Sequence, residues 1–346
     1  MAKAKKARAI MAGCGGMSVA WIRPALQRKD IEFVGFMDIN EKAAIEKAKQ
    51  FDLDIATGTD LKKLIKETNA DIVFDCTIPE AHCKVVTTAL NAGCNVLGEK
   101  PMADTMVNAR KMLQTAKKNR KTYSVIQNYR YQAEIRTVKK FIESGKIGDV
   151  TTVLSDFFIG AHFGGFRAKM AHVLLLDMAI HTFDAARFIS GADALEVYAE
   201  DWNPKGSWFA DGASASAIFT MNKGIKYIYN GSWCSEGNST PWNSHWRIIG
   251  TKGTISWKGD GTFEAEVVTE KKKKGRRVFE KKAVKVPMVK WPKSKMGHAG
   301  LMDEFMDSLK SKKKPPTDCT DNIKSLAMVH SAIESVEKGK KVKVKI

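Results

Sequence analysis

The sequence predicts an α/β protein in two parts: a doubly wound parallel sheet, then an α+β region with a largely antiparallel open sheet. Three observations carry this. From Arg8 to about Gln127, short apolar runs alternate with helical patterns, the rhythm of strand–helix units that build a parallel sheet covered on both faces. After "GKIGDV" (145–150), strand-like runs follow one another through turn signals such as "NKG" and "TKG", as antiparallel strands do. The length, 346 residues, exceeds one ordinary core. The expected division is 1–128 and 129–346.

In the first part the apolar, β-branched runs "RAIMAG" (8–13), "IEFVGFMD" (31–38), "DIVFDCT" (71–77), "CNVLGE" (94–99) and "TYSVIQN" (122–128) read as strands. Helical patterns lie near 16–29, 41–50, 60–68, 80–92 and 104–120, with Pro24 expected to kink the first. The second part opens with a helix at 131–144. Strands are expected at 150–159, 195–201, 213–221, 225–234, 245–250, 253–258, 262–269 and 277–286, the last two flanking a lysine-rich turn. A helix at 172–190, closed by Gly191, follows the first of these strands, and helices near 298–311 and 320–338, able to pack back on the first domain, end the chain. No internal repeat is present.

Composition bounds the function. Hydrophobic residues are 44% and charged residues 27%, ordinary globular usage. No run of about 18 uncharged apolar residues occurs, and the basic N-terminus enters a short strand instead of a cleavable apolar leader. A soluble, cytoplasmic protein is expected. The six cysteines form no CxxC pair and share no zinc-like spacing with histidine, so reduced thiols and no metal site are expected. The net charge of +19 is concentrated in "KAKK" (3–6), "KKKKGRR" (271–277), "KSKKK" (310–314) and "KGKKVKVK" (338–345). None is interleaved with aromatics, so they read as solvated termini and turns, with no specific nucleic-acid or membrane partner expected.

Three motifs carry chemistry. "AGCGGMS" follows the first strand and opens the first helix, giving Gly13-x-Gly15-x-x-Ser18. Glycines there permit a tight turn and close approach of backbone to a pyrophosphate, which the helix N-terminus attracts; Gly13, Cys14, Gly15, Gly16 and Met17 are the expected cradle. Asp38 ends the second strand, 25 residues beyond Gly13, where a carboxylate accepts hydrogen bonds from an adenosine ribose and repels a 2′-phosphate. NAD is therefore favoured over NADP, which nearby lysines leave open; the plainer role for Asp38 is to cap the next helix. "GEKPMAD" (98–104) puts Glu99 and Lys100 at the carboxyl edge of the sheet, where ligands bind in such folds, with Pro101 stiffening the turn.

The third motif is "LLLDMAIHTFD" (174–184), where Asp177, His181 and Asp184 interrupt a leucine-rich helix at i, i+4 and i+7. On a regular helix they form one polar stripe, and burying it costs several kcal/mol per group unless partners are supplied. Oxidising a secondary alcohol requires a base, a cation for the developing oxyanion and an oriented nicotinamide. His181 suits the base, Lys100 the cation, and Asp177 an orienting role.

The glycine turn, "EKP", the Asp177–His181 pair and "WRIIGTKGTI" (246–255) together resemble the Gfo/Idh/MocA oxidoreductase family, of glucose-fructose oxidoreductase and inositol dehydrogenase type. The resemblance implies an N-terminal Rossmann domain, a C-terminal α/β domain whose open sheet mediates dimers or tetramers, and NAD(P)-linked redox chemistry on sugars and polyols. It implies that Lys100 is the catalytic lysine and that Asp177 and His181 bind substrate and transfer its proton. From "TIPEAH" (77–82), Thr77, Pro79 and His82 are implied to line the cofactor, with Glu99 on the nicotinamide side. From "QNYRY" (127–131), Asn128 and Arg130 are placed near the cleft. Ser18 departs from the last glycine of the fingerprint. The loop "GAHFGGF" (160–166) offers His162 to substrate, and Trp233, Trp242 and Trp246 carry rings able to stack on sugar faces, although half-buried sheet aromatics are commoner. Two other readings remain: an NAD-dependent glycosidase working through transient sugar oxidation, and a non-enzymatic dinucleotide sensor.

Overall fold

A computed structural model describes residues 6–273 and 276–346; Lys3, Ala4 and Lys5 of "KAKK", and Lys274 and Gly275 of "KKKKGRR", lie outside the described residues. The chain forms two compact units, one made of the chain up to Asn128 with Pro292–Leu326, the other of Tyr129–Trp291 with Ala327–Ile346.

The first unit contains β1 (Ala7–Ala12), α1 (Ser18–Leu26), β2 (Ile31–Met37), α2 (Glu41–Gln50), β3 (Ala56–Gly58), α3 (Leu61–Thr68), β4 (Ile72–Asp75), α4 (Pro79–Asn91), β5 (Asn95–Gly98), α5 (Met106–Asn119) and β6 (Tyr123–Val125). All six strands are parallel, in the order β3-β2-β1-β4-β5-β6. Strand order therefore reverses between β1 and β4, the point at which open α/β sheets leave a crevice beyond the strand ends. Ala9 to Ala12 and Ile72 to Phe74 are fully buried, as strands covered on both faces must be. Asn40, Asp60 and Thr105 cap α2, α3 and α5 by accepting backbone N–H bonds.

The three-residue β3 was not expected: it is too short to show alternation, and it exists because it pairs with Gly35 to Met37. The strand expected at 122–128 stops at Val125, and Asn128–Tyr131 form a 3₁₀ turn. Helix α1 runs through Pro24 but ends at Leu26, short of the expected residue 29. Helix α8 (Gly297–Ser311) packs on α1 in this unit: Arg28 bonds Asp303 at 2.5 Å and Asp30 at 2.9 Å, and Lys310 bonds Asp30 at 2.7 Å.

The second unit has α6 (Ala133–Glu143), β7 (Val150–Phe158), α7 (Ile180–Ser190), β8 (Ala194–Trp202), β9 (Ser214–Met221), β10 (Lys226–Ser232), β11 (His245–Gly250), β12 (Gly253–Trp257), β13 (Phe263–Lys273), β14 (Arg276–Ala283) and β15 (Val342–Lys343). Helix α9 (Cys319–Lys338) contributes its later turns. The sheet order is β14-β13-β12-β11-β7-β10-β9-β8-β15, antiparallel except for the parallel pair β7–β10. One face is packed: Phe183 of α7 meets Phe219 at 4.9 Å and Tyr229 at 5.2 Å. On the other face Tyr198, Ile218, Ile228, Leu154 and Arg247 stand in register across five strands.

The expected single helix over 172–190 is two pieces. Leu174–Ala179 is π-helical and α7 follows without a break at Ile180. Asp177 lies in the wide turn and His181 in the regular one, so the polar stripe does not keep one 3.6-residue period. Such π turns often accompany functional sites.

Candidate functional site

The cofactor crevice is built from the ends of β1, β2 and β4. Gly13 has φ +88°, and a Cβ there would meet the Cys76 carbonyl oxygen at 2.4 Å, so only glycine fits; added Cβ atoms on Gly15 and Gly16 would meet open space. Beside this turn lies a cavity of about 650 Å³ lined by Gly13, Gly15, Asp38, Thr77, Ile78 and Lys84, among others. Ser18 is fully buried and donates its hydroxyl to the Gly15 carbonyl at 2.6 Å; the departure from glycine thus braces the turn. Met17 is 55% exposed, and Pro79 opens α4.

Asp38 accepts the Cys14 backbone N–H on one oxygen at 2.8 Å and that of Asn40 on the other at 2.9 Å. The helix-capping role belongs to Asn40. Each carboxylate oxygen keeps a further lone pair, and the group borders the cavity. Burial first, and the Asp38 charge second, push the Cys14 thiol up to about 12, so it stays protonated and inert at neutral pH.

Two sets of contacts under the crevice were not legible in the sequence. Asp75, ending β4, accepts from the Thr77 hydroxyl at 2.6 Å and holds the His82 Nδ1 at 2.8 Å. His82 is 1% exposed and lies 3.3 Å from the Thr77 hydroxyl, so within the protein it contacts Asp75 and Thr77. Burial lowers the affinity of its imidazole for a proton, but Asp75, Glu99 and Glu80 outweigh this and leave the pKa raised. Glu99 points inward as well. Its carboxylate accepts Trp21 Nε1 at 2.7 Å and the Lys100 backbone N–H at 3.1 Å, with His298 Nε2 at 3.6 Å. Burial raises the Glu99 carboxyl, and the nearby His298 ring and the hydrogen bond from Trp21 more than reverse that. Glu99 therefore braces the turn that carries Lys100, whose peptide bond to Pro101 is cis. Trp21 and His298 lie 78 and 199 residues from Glu99, with no local signal linking them.

In the second unit His181 is 9% exposed and its ring is stacked on Tyr129, centroids 4.7 Å apart. Tyr129 donates its hydroxyl to the Trp242 carbonyl at 2.8 Å. Asp177 accepts from Arg167 Nε at 2.5 Å. Asp184, fully buried, accepts from Arg130 through Nε and Nη2, both at 2.6 Å. This bidentate pair explains the third member of the stripe and gives Arg130, 5% exposed, an internal partner where substrate contact was implied. Asn128 precedes it in the 3₁₀ turn. His162 is exposed, stacks on Trp208 at 3.8 Å and meets Glu236 at 2.6 Å. Trp233 and Trp246 are buried, and Trp242 is 47% exposed. Lys100 belongs to the first unit; Asp177 and His181 belong to the second. Among the described residues no acidic, cysteine and histidine cluster fit to hold a metal ion occurs, and no helix is long and apolar enough to cross a membrane.

Residues 7–127 match the profile of the oxidoreductase family with an NAD-binding Rossmann fold, and residues 135–256 match the Gfo/Idh/MocA C-terminal domain. The y4oX protein of Sinorhizobium fredii is 29% identical over 96% of this chain and 94% of its own. A D-apiose dehydrogenase of Rhizobium rhizogenes is 25% identical, with 96% of each chain covered. An oxidoreductase from Agrobacterium radiobacter, solved in complex with NAD+, L-tartaric acid and magnesium, shares the fold with a TM-score of 0.84 at 23% identity, over 98% of this chain and 99% of that one. The glycine turn pressed on Cys76, the carboxylate of Asp38 beside the crevice and the two profiles matched in order agree: this protein belongs to the Gfo/Idh/MocA family of NAD-binding oxidoreductases.

Proposed function

We propose that the protein transfers a hydride between a secondary hydroxyl of a sugar or cyclic polyol and NAD, with Lys100, Asp177 and His181 acting on the substrate. The reading rests above all on a built dinucleotide crevice bordered by Asp38 in one unit and, in the other, a His181 imidazole that is only 9% exposed. Bound NAD supplies the hydride acceptor. His181 takes the hydroxyl proton, and the Tyr129 ring stacked against it fixes the plane of the imidazole. The Lys100 ammonium stabilises negative charge on the substrate oxygen, and Asp177 orients a neighbouring hydroxyl. Gly13, Gly15, Gly16 and the α1 N-terminus hold the pyrophosphate, and Asp38 holds the ribose. A relative named for a sugar, D-apiose dehydrogenase, supports the substrate class.

The test is a panel of sugars and polyols assayed separately with NAD and NADP by absorbance of the reduced cofactor. Turnover of at least one sugar with NAD is expected, and silence across the panel in both directions would overturn the reading. The in-register row Tyr198–Ile218–Ile228–Leu154, with Tyr198 39% and Ile218 49% exposed, supports assembly into dimers or tetramers through this sheet face. Light scattering that returned the mass of one chain at every concentration would contradict that. Six free cysteines suit a reducing, cytoplasmic setting, which fractionation of the native host cell would check.

A further inference from the structure

The second unit carries an exposed aromatic cluster that neither proton transfer nor cofactor binding uses. Trp242 is 47%, Phe163 49% and Phe166 63% exposed, although rings of this size are ordinarily covered. They are ordered. Phe163 lies 6.0 Å from Trp242, and the Arg167 guanidinium sits over Phe163 at 5.4 Å and over Phe166 at 4.7 Å. Buried Trp233 backs Phe163 at 5.6 Å. Next to Phe163 in the chain, His162 rests on Trp208 and meets Glu236, leaving the imidazole and carboxylate 61% and 67% exposed.

Contacts join this cluster to the residues assigned to catalysis. Tyr129, stacked on His181, bonds the backbone of Trp242, while Arg167, lying over Phe163, bonds Asp177. The rings are thus continuous with the Asp177–His181 site within one unit. Their chemistry is selective. A pyranose ring presents a face of C–H groups edged by hydroxyls, which suits an aromatic face with a carboxylate and an imidazole nearby. A protein partner would have to desolvate that exposed charged pair against apolar surface.

We propose that Trp242 and Phe163, with His162 and Glu236, form a subsite for a second sugar ring, so that the substrate is a glycoside or disaccharide whose ring beyond the reacting one stacks here. The proposal rests on the carbohydrate reading of the neighbouring site.

Affinities of the NAD-loaded protein for glucose, galactose, cellobiose, maltose and lactose, measured by calorimetric titration, test it without requiring turnover. At least one disaccharide is expected to bind about tenfold more tightly than its component monosaccharides, the scale of one or two stacking contacts. Trp242→Ala should remove that advantage and leave monosaccharide affinity within about threefold, while Trp242→Phe should keep part of it. Phe163→Ala gives the same test should Trp242→Ala fold poorly. No disaccharide advantage, an advantage that survives both alanine variants, or a change in oligomer mass without a change in sugar affinity would overturn the proposal. Tight disaccharide binding lost in the variants, but without NADH formation from any sugar, would uphold the subsite and overturn the dehydrogenase reading instead.

Discussion

Asp38 shows how much one side chain settles at the cofactor crevice. Its two oxygens already accept backbone N–H groups from Cys14 and Asn40, which fixes the carboxylate before any ligand arrives. Hydrogen bonds to a charged group are worth about 1.5–3 kcal/mol, so Asp38→Ala should weaken NAD binding by about 10- to 100-fold. Loss of the charge should weaken NADP binding less, because a 2′-phosphate no longer faces repulsion. Calorimetric titration of both dinucleotides reads this, and equal losses for the two would show that Asp38 does not face the ribose. Individual residues were the least legible part of the sequence. Gly13, Gly15 and Asp38 announced themselves by spacing from a strand end. The inward aim of Glu99, the burial of His82 and the bond from Arg130 to Asp184 depend on partners in other elements, and no local pattern encodes those.

At the scale of elements, strand–helix alternation was legible because burial on both faces leaves continuous apolar runs, and the hairpins from β8 to β14 were legible because turn residues punctuate them. β3 and the π turn were not. A three-residue strand has no period, and a π turn leaves the same residues in the same order while changing only their phase. The junction of α1, α8 and β2 carries a pH prediction. Partial burial raises the Asp30 carboxyl, but hydrogen bonds and charge from Arg28 and Lys310 outweigh it and hold the pKa at about 2, below the ordinary 3.8. The carboxylate therefore contributes stability that is full above pH 3.8 and is lost as pH falls toward 2. Asp30→Asn should cost about 1 kcal/mol at neutral pH, the upper range for a partly exposed pair, with the difference from the unaltered protein shrinking through pH 2 and gone below it. Thermal unfolding across that range tests it, and a difference independent of pH would refute the assignment.

For the whole molecule, the parallel unit supplies the dinucleotide crevice and Lys100, and the mixed-sheet unit supplies Asp177, His181 and the exposed aromatic rings. The switch from a parallel to a mostly antiparallel sheet was legible in the change of rhythm after Gly145. The return of Pro292–Leu326 to the first unit was less so, because a helix pattern does not name the surface it will cover. The proposal under test is that Lys100 and His181 both act in the proton and hydride transfer. Its most direct test is the single-turnover rate of NADH formation, with the sugar found most active, in the unaltered protein, Lys100→Ala, His181→Ala and the double variant. Each single variant should lose about 100-fold or more, and the double should lose little beyond the worse single, as groups acting in one transition state do. Full activity in either single variant, or losses that multiply in the double while NAD affinity and melting temperature hold, would contradict the account.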